Sequence, residues 1–100
     1  MVRHVILWNL KDSYSESEKN EIKAEIKASI EGLAGKIPGL LDIKVYTEGL
    51  KTSNADLMLD SSFESEEALG VYANHPLHVE VANTKVRPFT AQRSCLDFEV

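Results

Sequence analysis

The chain is poor in cysteine and has no long apolar run, and each scarcity excludes a class of protein. Cys95 is the single cysteine, so no intrachain disulfide and no multi-cysteine metal site can form, which is typical of a reducing compartment. No stretch approaches the ~20 apolar residues of a membrane span. Residues 1–10 are interrupted by polar side chains and precede no small-residue cleavage site, which indicates a strand rather than a signal peptide. We therefore expect a cytoplasmic protein.

Basic residues are also scarce, at 11 Lys and Arg against 16 Asp and Glu, for a net charge of −5. They form no cluster that would neutralise phosphates, so nucleic acid and anionic membrane are not expected partners. What the chain does have is an ordinary globular composition, with 43% apolar and 27% charged residues in 100 positions. These values predict one domain over residues 1–100 with its own core and argue against disorder.

Capping and periodicity signals divide the chain into strands and helices. Ser15 and Glu18 fit a capping box, and a stripe of apolar residues follows at helical spacing. Pro76 interrupts a second helix and suits the first turn of a new one. The predicted strands are 2–10, 40–48, 56–63 and 89–100, and the predicted helices are 15–34, 65–74 and 76–85. The stripe comprises Ile22, Ile26, Ile30 and Leu33.

The element order predicts an α+β fold of the ferredoxin-like type, β-α-β-β-α-β, with helices on one face of an antiparallel sheet. The first strand is apolar on both faces, with His4, Ile6 and Trp8 on one and Val5 and Leu7 on the other. The helices cover one face only, and 100 residues leave no further segment for the second. A partner subunit can cover it, so we expect a homodimer in which two sheets form a dimeric α+β barrel.

The chemistry-bearing residues concentrate between residues 72 and 78. Tyr72 lies one turn before the helix break, and His75 and His78 share a face if both occupy one helical turn. A phenol and an imidazole held together can act as acid and base, although the spacing alone favours a helix-capping His75 and a packing His78. A metal site at the two histidines would need a third ligand such as Glu80 or Asp97, which the spacing does not specify. We predict no metal and no cofactor.

Several segments resemble the stress-responsive dimeric α/β barrel family. These are the opening strand with His4, the Phe63–Leu69 segment, Tyr72 followed by His-Pro-Leu-His at residues 75–78, and Leu96-Asp97-Phe98 near the end. The resemblance spans essentially the whole chain, and the His-Pro-x-His segment after a tyrosine is its most specific part. The resemblance implies a homodimeric barrel with a pocket between sheet and helices.

One plant branch of that family contains polyketide cyclases, which fold a linear poly-β-keto thioester into an aromatic acid by aldol chemistry. The resemblance implies that His78 is the general base, that Tyr72 donates to the developing oxyanion and that His4 orients the substrate. The implied ligand is small and hydrophobic, aromatic or polyketide-like. This chain has Leu57 where that branch carries a second pocket histidine. The predicted substrate-binding residues are His4, Ile6, Trp8, Leu57, Leu59 and His75.

Two alternatives remain open from the sequence. Related α+β barrels include cofactor-independent monooxygenases and isomerases, whose substrates supply the carbanion chemistry. A dimeric barrel can also be a binding module with no catalytic activity. Trp8 suits either a pocket wall or, as an aromatic residue facing another sheet, a dimer core. Cys95 is expected to be a small buried hydrophobic residue rather than a reactive thiolate.

Overall fold

The computed structural model describes residues 1–100 and has the predicted order of elements. The strands are β1 Val2–Leu10, β2 Leu40–Tyr46, β3 Leu57–Phe63 and β4 Thr90–Glu99, and the helices are α1 Glu16–Glu31, α2 Glu66–Asn74 and α3 Pro76–Val81. Between α3 and β4 the chain forms a π-helical turn, Ala82–Val86, and a 3-10 turn, Arg87–Phe89. No helix is both long enough and apolar enough to cross a membrane.

The four strands form one antiparallel sheet in the order β2-β3-β1-β4, so β1 is flanked on both sides. In this register His4 lies opposite Ser61 of β3 and opposite Asp97 of β4. Trp8 lies opposite Arg93 of β4. Directly opposed residues point to the same face of a sheet, so these side chains project together toward the helices. The ferredoxin-like fold is confirmed, with the second helix split at Pro76 as predicted.

Helix α1 forms where the capping and apolar signals predicted it. Ser15 accepts a hydrogen bond from the Glu18 backbone N–H while the Glu18 carboxylate accepts from the Ser15 N–H, which completes the capping box. Ile26 and Ile30 are buried against the sheet. The helix ends at Glu31, three residues before the predicted end, and Leu33 joins the core from the turn that follows.

The two faces of the sheet have opposite environments. The face toward the helices carries the core, a cluster of 15 buried residues that includes Ile6, Trp8 and Leu59. The opposite face, called the outer face below, is uncovered in the protomer and exposes 41% of Leu7 and 65% of Leu96. The apolar members of the outer face are Val5, Leu7, Tyr46, Met58, Leu96 and Phe98.

The structure decides two side-chain environments. Trp8 is only 4% exposed and lies on the helix side within the protomer, so of the two placements considered for it the cavity wall is observed and the dimer core is not. Cys95 is exposed rather than buried. The reason is that β4 is an edge strand, and its helix-side residues extend beyond the area that α2 and α3 cover.

A carboxylate on α1 fastens this helix to β2. Glu31 Oε2 accepts hydrogen bonds from Lys27 Nζ at 2.8 Å and from the Val45 backbone N–H at 2.9 Å. Desolvation on its own would raise the pKa of Glu31, but the hydrogen bonds from Lys27 and Val45 outweigh it and lower the pKa. The ionised carboxylate therefore stabilises the folded state.

We expect Glu31→Gln to lower the free energy of unfolding by about 1 kcal/mol at neutral pH. Because folding lowers this pKa from 4.5, the stabilisation is complete above that pH and is lost as pH falls through the folded-state value. Urea unfolding at pH 7 and at about pH 3 measures both effects. Glu21→Gln, at an exposed position of the same helix, is the control. A stability gap of equal size at both pH values would contradict the assignment.

Candidate functional site

A cavity of about 140 Å³ lies between the sheet and the chain from α2 to the start of β4. Its walls are mostly apolar and include Ile6, Trp8, Ile30, Leu59, Val81 and Val86. An apolar protein cavity of about 150 Å³ holds a benzene molecule. This cavity is therefore the size of one aromatic ring, and a longer ligand must extend through its opening.

Tyr72 and His78 meet at the wall of this cavity, with their ring centroids 4.2 Å apart. The helix break brings them together. Helix α2 ends at Asn74, the extended backbone of His75 redirects the chain, and Pro76 starts α3. His78 then lies in the first turn of α3, directly over the last turn of α2. The phenol and the imidazole thus come from two short helices whose relative position is set by the break.

The hydrogen bond of His78 defines which of its nitrogens is basic. Its Nδ1 lies 3.2 Å from the Ala73 carbonyl oxygen, which can only accept, so Nδ1 carries the proton. Nε2 is then the unprotonated nitrogen. Desolvation lowers the pKa of His78, and the nearby charges of His4, Arg87 and Arg93 lower it further, against the opposing effect of the Ala73 carbonyl. The imidazole is therefore neutral at pH 7.

Tyr72 is the complementary group. It is 2% exposed, and burial raises the pKa of its phenol well above 10. The Tyr72 hydroxyl has no hydrogen-bond partner within the chain. No fully buried polar side-chain atom in the structure lacks a partner, so this hydroxyl is not fully buried. The hydroxyl is therefore reached from the cavity. It is a protonated donor that is free to bond to a ligand.

His4 adds a second imidazole on the other side of Tyr72, with their ring centroids 6.1 Å apart. Its Nδ1 pairs with the Asp97 carboxylate across the β1–β4 ladder. Cys95 Sγ lies 3.8 Å from His4 Nδ1 and 3.6 Å from Asp97 Oδ1. Desolvation, and then the Asp97 carboxylate, raise the pKa of the Cys95 thiol, which keeps it protonated.

His4, Cys95 and Asp97 are the one group of three side chains that could offer an ion three ligands, since their ligand atoms lie within 4.8 Å of one another. The histidine pair considered from the sequence does not form such a group, because His75 and His78 engage different backbone atoms. The pairing of His4 with Asp97 already satisfies both groups without an ion.

The structure brings together six of the eight residues predicted for the site. The cavity is lined by His4, Ile6, Trp8, Leu59, Tyr72 and His78. Leu57 and His75 do not line it. Leu57 is buried opposite Trp8 in the sheet, but its side chain is not part of the cavity wall. The Nδ1 of His75 accepts the Leu77 N–H at 3.1 Å, which caps α3 and holds the ring away from the cavity.

Three polar residues of the cavity wall were not predicted from the sequence, namely Arg87, Thr90 and Arg93, and neither was the pairing of Asp97 with His4. The pairing had a signal in the alternation of β4, since Asp97 and Arg93 lie an even number of residues apart and share a face. The register of β4 against β1 was the missing information. Arg87 lies in the 3-10 turn before β4, and no sequence pattern places that turn at the cavity.

This geometry defines a class of protein. It is a ferredoxin-like α+β domain with a ring-sized cavity between the sheet and the helices. The family model of the stress-responsive A/B barrel domain (Dabb) matches residues 2–100. The chain therefore belongs to this family. It is also 32% identical over 87 residues to the stress-response A/B barrel domain-containing protein HS1 of Arabidopsis thaliana, covering 81% of this chain and 73% of that protein.

Two further similarities are to a much longer protein and to a protein of about the same length. It is 39% identical over 61 residues to the peroxisomal fatty acid beta-oxidation multifunctional protein of Oryza sativa, which covers 60% of this chain but only 8% of that protein. A dimeric protein of unknown function with a ferredoxin-like fold from Bacteroides fragilis has a TM-score of 0.90 and 29% identity. That match covers 99% of this chain and 95% of the other.

We predict that His78 and His75 are opposite tautomers. His78 Nδ1 faces a carbonyl and must donate, whereas His75 Nδ1 accepts a backbone N–H, so its proton is on Nε2. Nitrogen-15 correlation spectra at about pH 8, well above the ordinary histidine pKa of about 6.5, distinguish the two forms. His75 is the internal control. A His78 ring protonated on Nε2 would remove the base that the cavity offers.

Proposed function

We propose that the cavity binds a small, largely apolar molecule and that Tyr72 and His78 catalyse aldol-type ring closure of a linear poly-β-keto chain. The single observation that carries the proposal is the 4.2 Å contact between the two rings at the wall of an apolar cavity. Burial shifts the pKa values of the two groups in opposite directions, lowering that of the imidazole and raising that of the phenol. The imidazole is kept neutral and able to accept a proton, and the phenol is kept protonated and able to donate.

In the proposed reaction His78 Nε2 removes a proton from a carbon between two carbonyl groups. The electron pair of that C–H bond becomes an enolate, and the Tyr72 hydroxyl donates a hydrogen bond to its oxygen. The enolate carbon attacks a ketone carbon of the same chain, which forms the new C–C bond and leaves an alkoxide. The proton held by His78 returns to that alkoxide. No oxidant, reductant or metal takes part in this step.

His4 has a supporting role in this proposal. Its pairing with Asp97 fixes the ring orientation and leaves Nε2 available to the ligand. An imidazole held in this way accepts at Nε2 and can orient the hydroxyl group of an enol form of the chain beside Tyr72. The ring-sized cavity favours a folded conformation of the substrate over an extended one, which brings the reacting carbons together.

We expect His78→Gln to slow cyclisation of a linear poly-β-keto acid by about 10²–10⁴-fold, the usual contribution of a general base. Tyr72→Phe removes only the hydroxyl and should also slow the reaction, with little change in stability. Product formation is followed by mass spectrometry and ultraviolet absorbance. Activity of the unmodified protein should fall as pH drops below 6.5, because protonation of His78 removes the base.

His75→Asn is the matched control, since asparagine keeps an acceptor for the α3 cap and the residue lies outside the cavity. It should leave turnover unchanged. Turnover by His78→Gln equal to that of the unmodified protein would remove His78 from the mechanism. Equal loss in His75→Asn would trace the effect to a disturbed helix break instead.

We also propose that the chain forms a homodimer through the outer face. Support comes from the exposed apolar side chains of Leu7, Leu96 and Phe98 on adjacent strands, which form a patch of the kind that marks interfaces. The similar Bacteroides fragilis protein is described as dimeric. Two outer faces packed together would give the barrel that the family name describes.

Native mass spectrometry should show a mass of about 22 kDa, twice the 11.2 kDa of one chain. Leu96→Glu should shift the protein to the monomer, because it buries two carboxylates in the interface. Leu50→Glu introduces the same change at a loop residue that is 83% exposed and should leave the dimer intact. A monomeric unmodified protein at micromolar concentration would contradict the proposal.

A further inference from the structure

The charge of the cavity wall is opposite to the charge of the chain. The chain carries 16 acidic residues, but none of the 15 residues that line the cavity is Asp or Glu. The titratable and cationic groups in the lining are His4, His78, Arg87 and Arg93, together with the phenol of Tyr72. A cavity wall with cationic groups and no carboxylate favours an anionic ligand over an uncharged one.

The two arginines are available to a ligand. The chain has only three arginines, and the third, Arg3, is held on the outer face by a bidentate pair with Asp60. Neither Arg87 nor Arg93 forms an ion pair, since the ion pairs in the structure engage other residues. Arg87 donates only to the neutral amide of Asn83. Both arginines keep their positive charge without a carboxylate partner.

Their position marks the opening of the cavity. Arg87 and Arg93 are exposed residues that also contribute to the cavity wall, so they lie where the cavity meets solvent. Arg93 is directly opposite Trp8 in the sheet, and Trp8 forms the apolar wall below it. The cavity therefore has an apolar interior and a cationic rim.

We propose that the ligand of this cavity is an amphipathic carboxylate, with an apolar body of about one ring inside and its carboxylate at the rim, held by Arg87 and Arg93. This inference rests on the proposed function, since it names the class of molecule that the same cavity takes. Guanidinium groups match the geometry of a carboxylate and can bind it through two parallel hydrogen bonds. A cavity of about 140 Å³ accommodates the body but not a second ring.

The position of the carboxylate also fixes the direction of the ligand. With its charged end at Arg87 and Arg93, the apolar body of the ligand extends past Trp8 and along β1 toward Ile6 and then His4, whose ring lies beside Tyr72. A ligand bound in this way presents the part remote from its carboxylate to Tyr72 and His78. The rim thus selects for a ligand with a free carboxylate and fixes its direction in the cavity.

Binding of para-propylbenzoate and of its uncharged analogue para-propylbenzamide tests the inference without requiring turnover. Trp8 is the only tryptophan and lines the cavity, so its fluorescence reports occupancy directly. We expect the carboxylate to bind about tenfold or more tightly than the amide, as hydrogen bonds to charged groups imply. Raising NaCl from about 50 mM to about 500 mM should weaken binding of the carboxylate only.

Arg87→Gln and Arg93→Gln should each reduce the preference for the carboxylate, and the double variant should abolish it while leaving amide binding unchanged. Lys51→Gln is the matched control, because it makes the same change in net charge at an exposed loop residue. Circular dichroism of each variant verifies folding, which exposed positions should tolerate.

The outcomes separate this inference from the proposed function. Equal affinity for acid and amide would overturn the carboxylate inference while the cavity remained a small-molecule site. A preference for the acid that survives the double variant would overturn the role of the arginines. Binding of neither probe would overturn the inference and weaken the proposed ligand site with it. Selective acid binding with no cyclisation would support the inference and contradict the aldol reaction.

Discussion

The hydrogen-bonded register of β1 between β3 and β4 is the constraint on which the rest of this protein depends. Because side chains alternate across a strand, this register sends His4 and Trp8 toward the helices and Leu7 to the outer face. It also aligns His4 with Asp97 of β4. A slip of one residue would exchange the two faces and remove the imidazole from the cavity. The cavity and the uncovered apolar surface are thus two results of one strand pairing.

The break between α2 and α3 determines which acid–base groups meet at the cavity. A continuous helix would carry residues 72 and 78 around its axis to different faces, whereas Pro76 redirects the chain and places the His78 ring against Tyr72. Burial then acts on the two groups with opposite consequences, since it disfavours the phenolate and the imidazolium alike. One apolar environment thereby yields a proton donor and a proton acceptor side by side.

Much of this architecture was predictable from local patterns. The capping box of α1, its apolar stripe, the split at Pro76 and the alternation of β1 all depend on residues close in sequence, and the structure confirms each of them. The pairing of His78 with Tyr72 at the cavity followed from the same break. Leu57 was assigned to the cavity from strand alternation and from the family resemblance, but neither of these defines which residues of a sheet face border the cavity.

The sequence by itself determined which elements form, which face of each is apolar and which residues are capable of acid–base chemistry, because these depend on neighbours within a few positions. Only the tertiary structure decided what surrounds them. The edge position of β4 exposes Cys95, the register places Asp97 on His4, and the turn before β4 brings Arg87 to the rim of the cavity. These contacts join residues up to 93 positions apart. Such pairings depend on how the whole chain packs, and a pattern of neighbouring residues does not predict them.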